Sequence, residues 1–264
     1  MMEPLIDKNG TRAWHTRFVN QAVWTHELRR YLLANIKTEP INRMLDVGCG
    51  TGALFAEILE FFPEAHISGL DINPKYLDFA RRNAPEAQLA VGDACYMPFS
   101  NNSLDLVYFH YFMLWIPTPG KVLSEIRRVL RTGGLLFAFA EPDYEGRIDY
   151  PGTLTEMGQL QNRSLEIQGA NPHAGRRLVS QLQAAGFSNI QAGILGSQWQ
   201  PDRIDINLNS EWWVLRQDLE TLVDQETLEN YILLDRAAWE AGERVLYVPT
   251  FYAAAVNPPL SQAP

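Results

Sequence analysis

The sequence predicts an α/β fold built on a mainly parallel sheet. Three observations carry the prediction. Short apolar runs alternate with amphipathic segments between residues 43 and 141. A glycine-rich turn, Asp46-Val47-Gly48-Cys49-Gly50-Thr51-Gly52, stands between a strand pattern and a helix pattern. Acidic residues, Asp71 and Asp93, end the next two strand patterns. Alternation of this kind is the mark of βαβ units feeding a parallel sheet, and such sheets bind ligands in the crevice outside the carboxyl ends of their strands.

Each element follows from its own pattern. Residues 14–36 place Trp14, Phe18, Val23, Trp24, Leu28, Tyr31 and Leu32 at helical spacing, and Pro40 stops any helix before the sheet begins. Strands one to five are expected at 43–47, 66–71, 87–93, 104–110 and 134–141, with helices near 53–62, 74–83 and 119–131. Gly133-Gly134 ends the last of these helices. Beyond the turn-rich stretch EPDYEGRIDYPG, a helix is expected near 153–168, and a second carries Leu178, Leu182 and Ala185 on one face before Gly186. FSNIQAGILG reads as a sixth strand, 210–241 as two helices and 245–256 as a last strand, ahead of a Pro-rich tail expected to fray.

Composition narrows the function. With 264 residues, 46% of them hydrophobic, the chain suffices for one sizeable core, so a single domain over 1–264 is expected. The 22 basic and 31 acidic residues leave a formal charge of −9, which argues against a nucleic-acid partner held by phosphate neutralisation. Two cysteines, Cys49 and Cys95, do not make a disulfide scaffold. No apolar window is long enough to span a bilayer and none near the N-terminus has signal-peptide character. A soluble, cytoplasmic protein with no membrane partner is the expectation, and no metal is expected.

Alternate glycines let the backbone of the turn approach a ligand closely, and exposed N–H groups at the helix start favour a ligand carboxylate. Asp71, ending the second strand, is placed to accept hydrogen bonds from both hydroxyls of a ribose. Asp93 can accept from the exocyclic amine of an adenine while the Ala94 N–H faces a ring nitrogen. An ordinary turn or helix cap accounts for each aspartate separately.

Taken together, the D-V-G-C-G-T-G turn, Asp71, Gly92-Asp93-Ala94 and the segment R-R-V-L-R-T-G-G-L-L at 127–136 resemble class I S-adenosylmethionine-dependent methyltransferases. Within them the likeness runs to the small-molecule group that includes the ubiquinone and menaquinone biosynthesis enzymes. It is specific over 43–141 and weak on both sides. The resemblance implies a Rossmann-like, seven-stranded, mostly parallel sheet with helices on both faces and an antiparallel final strand, supplied here by 245–256. It implies an N-terminal helical lid over 1–40, a cofactor-binding core over 41–141, and substrate-side elements over 142–264 with a helical cap at about 205–242, inserted before the last strand. S-adenosylmethionine is the implied cofactor. Asp46, Gly48, Cys49, Gly50 and Gly52 would hold its methionine part, Asp71 and Ile72 the ribose side, and Asp93 with Ala94 the adenine. A nicotinamide-dependent dehydrogenase is the alternative on the turn alone, since Ala53 can stand for the third glycine of G-x-G-x-x-G; the Gly-Asp-Ala after the third strand favours the methyltransferase. A module that binds the cofactor without transferring methyl shares every one of these residues.

Methyl transfer from a sulfonium asks mainly for alignment and exclusion of water. A hydroxyl or carbon acceptor additionally needs a proton removed. His110, at the carboxyl end of the fourth strand, is the candidate for that base and for a cofactor contact, with a structural histidine the equal alternative. Tyr111 and Trp115, among the aromatics Tyr108, Phe109 and Phe112, are candidates to line an acceptor pocket, as are Glu141 and Tyr144 after the fifth strand and Trp213 in the cap. Arg17, in the lid with Trp14, His15, Thr16 and Gln21, could pair with the methionine carboxylate. Arg176 and Arg177 read as surface charge or as a clamp for an acceptor carboxylate. The expected partner is a small-molecule acceptor, with the chain a monomer or homodimer.

Overall fold

The computed structural model describes residues 10–34, 36, 40–196 and 208–259. Five strands follow one another as expected: β1 (Arg43–Val47), β2 (His66–Asp71), β3 (Gln88–Val91), β4 (Leu104–Phe109) and β5 (Leu130–Pro142). Later in the chain come β6 (Ile148–Tyr150), β7 (Ser188–Leu195), β8 (Val245–Tyr247) and β9 (Thr250–Val256). Seven of them form one sheet in the order β3-β2-β1-β4-β5-β9-β7. β1 to β5 run parallel, and β9 lies antiparallel to both β5 and β7.

Helices cover both faces of the sheet. α1 (Thr11–Trp24), α2 (His26–Ala34), α3 (Phe55–Phe61) and α4 (Pro74–Asn83) precede β3, and α5 (Pro119–Val129) joins β4 to β5. α6 (Thr155–Ile167), α7 (Ala174–Ala184), α8 (Leu208–Leu219) and α9 (Gln225–Glu240) follow. Period-two alternation sorts the central strands between two cores. Leu45, Val47, Val107 and Phe109 pack with Val122, Leu123 and Ile126 of α5 and Leu178 and Leu182 of α7. Met44, Leu106 and Tyr108 pack on the other face with Leu32 and Leu33 of α2, Ile58 of α3 and Leu77 of α4. Burial on both faces is why β1, β4 and β5 read as apolar runs rather than as alternating ones. A third core, with Leu154, Met157, Trp212, Leu215, Leu219, Leu228 and Ile232, binds α6, α8 and α9 together.

The structure corrects three expectations and leaves parts of others outside the described residues. The helical preface is two helices, because the chain breaks at Thr25, whose backbone N–H caps α1 by donating to the Ala22 carbonyl. The helix before β5 ends at Val129 rather than at the glycine pair, and β5 starts at Leu130. There Asn257 Nδ2 donates to the carbonyls of Arg127 (3.1 Å) and Leu130 (2.9 Å), and the Gly133 N–H donates back to the Asn257 carbonyl at 2.8 Å. Residues 245–256 are not one strand. Val245–Tyr247 pairs with Ile148–Tyr150 in a separate two-stranded sheet, and only Thr250–Val256 enters the main one, the two being separated by Pro249, which carries no N–H for a ladder. Finally, residues 1–9 of the lid, 205–207 of the cap and 260–264 of the tail lie outside the described residues.

Candidate functional site

The carboxyl ends of β1 and β2 meet at the glycine turn. Gly48, Gly50 and Gly52 adopt φ of +74°, +53° and +73°, a region closed to most side chains. The Gly48 and Cys49 N–H groups donate to the Leu70 carbonyl at 2.7 and 3.1 Å, which holds the turn against β2. Asp71 then closes the unit: Oδ2 accepts from the Gly50 N–H and Oδ1 from the Asn73 N–H, each at 2.8 Å. The Ile72 N–H also bonds this carboxylate, so three of its four lone pairs are taken and one remains for a ligand. Burial raises the Asp71 pKa while the Asn73 and Gly50 N–H groups oppose it. Asp46, buried at 3% exposure, lies beneath, its pKa pushed well up by burial and by Asp71. The Cys49 thiol is pushed up by the same burial and by both carboxylates, so it stays protonated at neutral pH.

Around this unit Ile72 is 73% exposed, and Asp93 is exposed with Oδ1 accepting from the Cys95 N–H at 2.8 Å. Asp93 thus forms the turn that its sequence also suggested, with its second oxygen unassigned; Ala94 is buried beside it. α1 lies across the turn. His15 Nδ1 is 2.8 Å from Thr51 Oγ1, and the Phe18 ring sits so close that a Cβ at Gly50 would lie 3.1 Å from it. From the other side the Phe112 ring covers Gly48. These residues fit a cofactor with a nucleoside and an amino-acid end: a backbone turn for one, a carboxylate for the other, and rings to close over them.

His110 continues the Tyr108 face of β4 and meets α2. Its Nε2 lies 2.9 Å from Thr25 Oγ1, and burial with the nearby Arg29 charge lowers its pKa well below the ordinary histidine value. Nε2 is therefore in a structural contact, while Nδ1 makes no hydrogen bond among the described residues.

Tyr111 follows with φ +53°, an uncommon conformation for a bulky residue, held by its N–H donating to the Ala140 carbonyl at 2.8 Å. Tyr111, Tyr144, Arg17 and Glu211 lie within electrostatic reach of one another, and burial raises both tyrosine pKa values. Trp213 of the cap meets Trp14 of the lid edge to face at 5.2 Å. Trp115, at 37% exposure, stands at the end of a short 3-10 turn over Met113–Trp115.

Two expected ligand contacts are spent inside the protein. Arg17, 8% exposed, is ion-paired with Glu211 of α8 and stacks over Trp24 with its guanidinium 4.9 Å from the ring centre, so its charge already has a partner within the protein. Glu141 is fully buried, and its carboxylate accepts from the Phe112 and Met113 N–H groups at 3.0 and 2.9 Å, capping the 3-10 turn rather than facing an acceptor. The clamp suggested for Arg176 is likewise taken, by Asp143. Sequence reading missed Thr25, Arg29 and Glu211, which no local motif marks. A cleft of about 560 Å³ between β6 and α6, lined by Arg147, Asp149, Thr155, Gln159, Asn162 and Arg163 among others, takes no residue from the glycine turn.

Burial pushes the Glu141 pKa up to about 8 against the opposing backbone N–H groups. A carboxyl whose folded pKa exceeds its unfolded value stabilises the fold below the unfolded value, about 4.3, and loses that contribution as pH rises through the folded one. Wild type is therefore expected to lose stability relative to Glu141→Gln between about pH 4.3 and about 8. Melting temperatures of both proteins across that window check it, and a pH-independent difference removes the assignment.

Residues 45–138 match the family model of a methyltransferase domain. The chain is 34% identical over 178 residues to malonyl-[acyl-carrier protein] O-methyltransferase of Methylococcus capsulatus, covering 64% of this chain and 61% of that one. It is 28% identical over 168 residues to trans-aconitate 2-methyltransferase of Methylobacterium radiotolerans, covering 61% and 60%. It thus spans about three fifths of the length of these two relatives. Among solved structures it resembles phosphoethanolamine N-methyltransferase 2 of Haemonchus contortus, with a TM-score of 0.62, 20% identity and coverage of 96% of this chain and 59% of that one. The domain match over 45–138 covers β1 to β4 and most of β5, so this part of the chain is similar to a methyltransferase domain, and the likeness to the solved structure is one of fold.

Proposed function

We propose that the protein transfers a methyl group from S-adenosylmethionine to a small-molecule acceptor. The observation that carries this is the joined unit of glycine turn and Asp71, in which the carboxylate ending β2 supports the Gly50 N–H and keeps a lone pair for a ribose hydroxyl. When bound, the cofactor supplies an activated methyl on a sulfonium. The chain's own residues do the rest: the turn holds the amino-acid end, Asp71 and the exposed Ile72 the ribose side, and Asp93 with Ala94 the adenine. Phe18 and Phe112 exclude water from the turn. Tyr111, Tyr144, Trp115 and Trp213 face the acceptor between lid and cap. The names of the two relatives, one for malonyl-[acyl-carrier protein] and one for trans-aconitate, support an acid among the acceptors to be tried. A cytoplasmic protein without a nucleic-acid partner belongs to the same reading, supported by the formal charge of −9. Among the described residues no helix is long and apolar enough to cross a membrane.

Release of S-adenosylhomocysteine from S-adenosylmethionine over a metabolite panel tests the reading. Binding without release on any acceptor would favour the non-transferring module. Asp71→Ala is expected to weaken cofactor binding by about 1.5–3 kcal/mol, the range for hydrogen bonds to charged groups. Unchanged calorimetric affinity in the folded variant would remove Asp71 from the site.

A further inference from the structure

The break between α1 and α2 brings a threonine and an arginine onto His110. Thr25 is 1% exposed and Arg29 is fully buried. Arg29 donates to Thr25 Oγ1, to the Ala22 carbonyl at 2.6 Å and to both oxygens of Glu57. A guanidinium has no acceptor atom, so Thr25 Oγ1 is the acceptor toward Arg29 and its single proton goes elsewhere. Three atoms are in reach: His110 Nε2 at 2.9 Å, the Gln21 carbonyl at 3.2 Å and the Ala22 carbonyl at 3.3 Å. The Ala22 carbonyl already accepts from Arg29 and from the Thr25 N–H, which uses its two lone pairs. The Gln21 carbonyl lies beyond the usual length of an O–H to oxygen bond, and Nε2 is the nearest of the three. The buried Arg29 charge also favours a ring lone pair, not a ring N–H, on the side that faces it.

We propose that the relay Arg29 to Thr25 to His110 Nε2 locks the imidazole as its Nδ1–H tautomer, so that His110 presents a hydrogen-bond donor to the site rather than a basic lone pair. Donation by a cation to the hydroxyl strengthens the hydroxyl as a donor in turn. Burial and Arg29 keep the ring neutral at neutral pH, so one tautomer has to be chosen. Thr25 and Arg29 are positioning residues. The consequence for the substrate rests on the methyltransferase reading: the group meeting Nδ1 is an oxygen acceptor, such as a carboxylate or phenolate, and not a hydroxyl whose proton must be taken there.

Long-range proton–nitrogen NMR of the ¹⁵N-labelled full chain reads the tautomer without cofactor or acceptor. Five histidines keep the spectrum simple, and His110→Gln identifies the cross-peaks. The expected pattern has the proton on Nδ1; a proton on Nε2, or an averaged mixture, overturns the proposal. Thr25→Val is expected to move the pattern toward Nε2–H or a mixture and Thr25→Ser to restore it, whereas a wild-type pattern in the valine variant overturns the relay. With an acceptor found by S-adenosylhomocysteine release, His110→Ala is expected to lose roughly ten- to a hundredfold in turnover, the worth of a hydrogen bond to a charged group. His110→Asn, whose amide N–H can stand near Nδ1–H, is expected to recover part of that loss. Equal loss in both variants overturns the donor role. Failure to find any acceptor bears on the methyltransferase reading alone, since the NMR result stands without it.

Discussion

Gly50→Val is expected to abolish detectable S-adenosylmethionine binding while leaving a folded protein. At φ +53° a non-glycine residue costs roughly 1–2 kcal/mol, and β-branching makes it worse. The new Cβ would stand 3.1 Å from the Phe18 ring, so that ring must give by a few tenths of an ångström. Beyond these costs, the γ-methyl groups also enter the space through which a cofactor approaches the backbone. The Gly50 N–H bonded to Asp71 would move with the chain, so both halves of the site fail together. Gly120 provides the control: it opens α5 with nothing within 4 Å of an added Cβ, and Gly120→Ala should bind normally. Calorimetry on the three proteins decides; wild-type affinity in Gly50→Val would mean that the turn is purely structural.

Arg244→Met is expected to destabilise the protein by about 3–5 kcal/mol, the cost of breaking a buried ion pair by removing one partner. Arg244 is 1% exposed and donates to Asp235 at 2.6 Å and to Asp149 at 2.8 Å. Asp149 also takes Arg147, and Asp235 takes the Trp212 indole N–H at 2.8 Å, so the network joins the small β6–β8 sheet to the cap helices. Without the guanidinium, two buried carboxylates keep one partner each and the cap loses its tie to the sheet. At roughly 2–4 °C per kcal/mol for large domains, the melting temperature should fall by about 6–20 °C. Arg216→Met is the contrast, because its pair with Glu229 is exposed to solvent and screened, so its loss should barely move the melting temperature. Equal melting temperatures for the two variants would show that the buried network does not hold the cap.

Much of the sheet was legible because its signals are local. A strand buried on both faces writes a continuous apolar run, and β1, β2 and α4 fall on the expected residues. The glycine turn was legible because positive φ selects glycine wherever the chain must turn that way. Element ends were less so. Where α5 gives way to β5 depends on Asn257, over a hundred residues later in the chain, and the split of β8 from β9 depends on which strand partners Ile148–Tyr150.

The sequence by itself determined the sheet, the glycine turn, the acidic strand ends and the likeness to a methyltransferase domain over 45–138, since each rests on residues near one another in the chain. The tertiary structure alone decided what the remaining side chains do. Arg17 was read as a carboxylate ligand until Glu211 from α8 reached it, and Glu141 as an acceptor contact until the backbone of Phe112 and Met113 enclosed it. His110 was equally a base or a structural residue until Thr25 and Arg29 stood beside it. The physical reason is common to all three. A charge or an imidazole takes its role from the partner that it meets on burial, and these partners lie 28 to 194 residues away, where no spacing in the sequence records them.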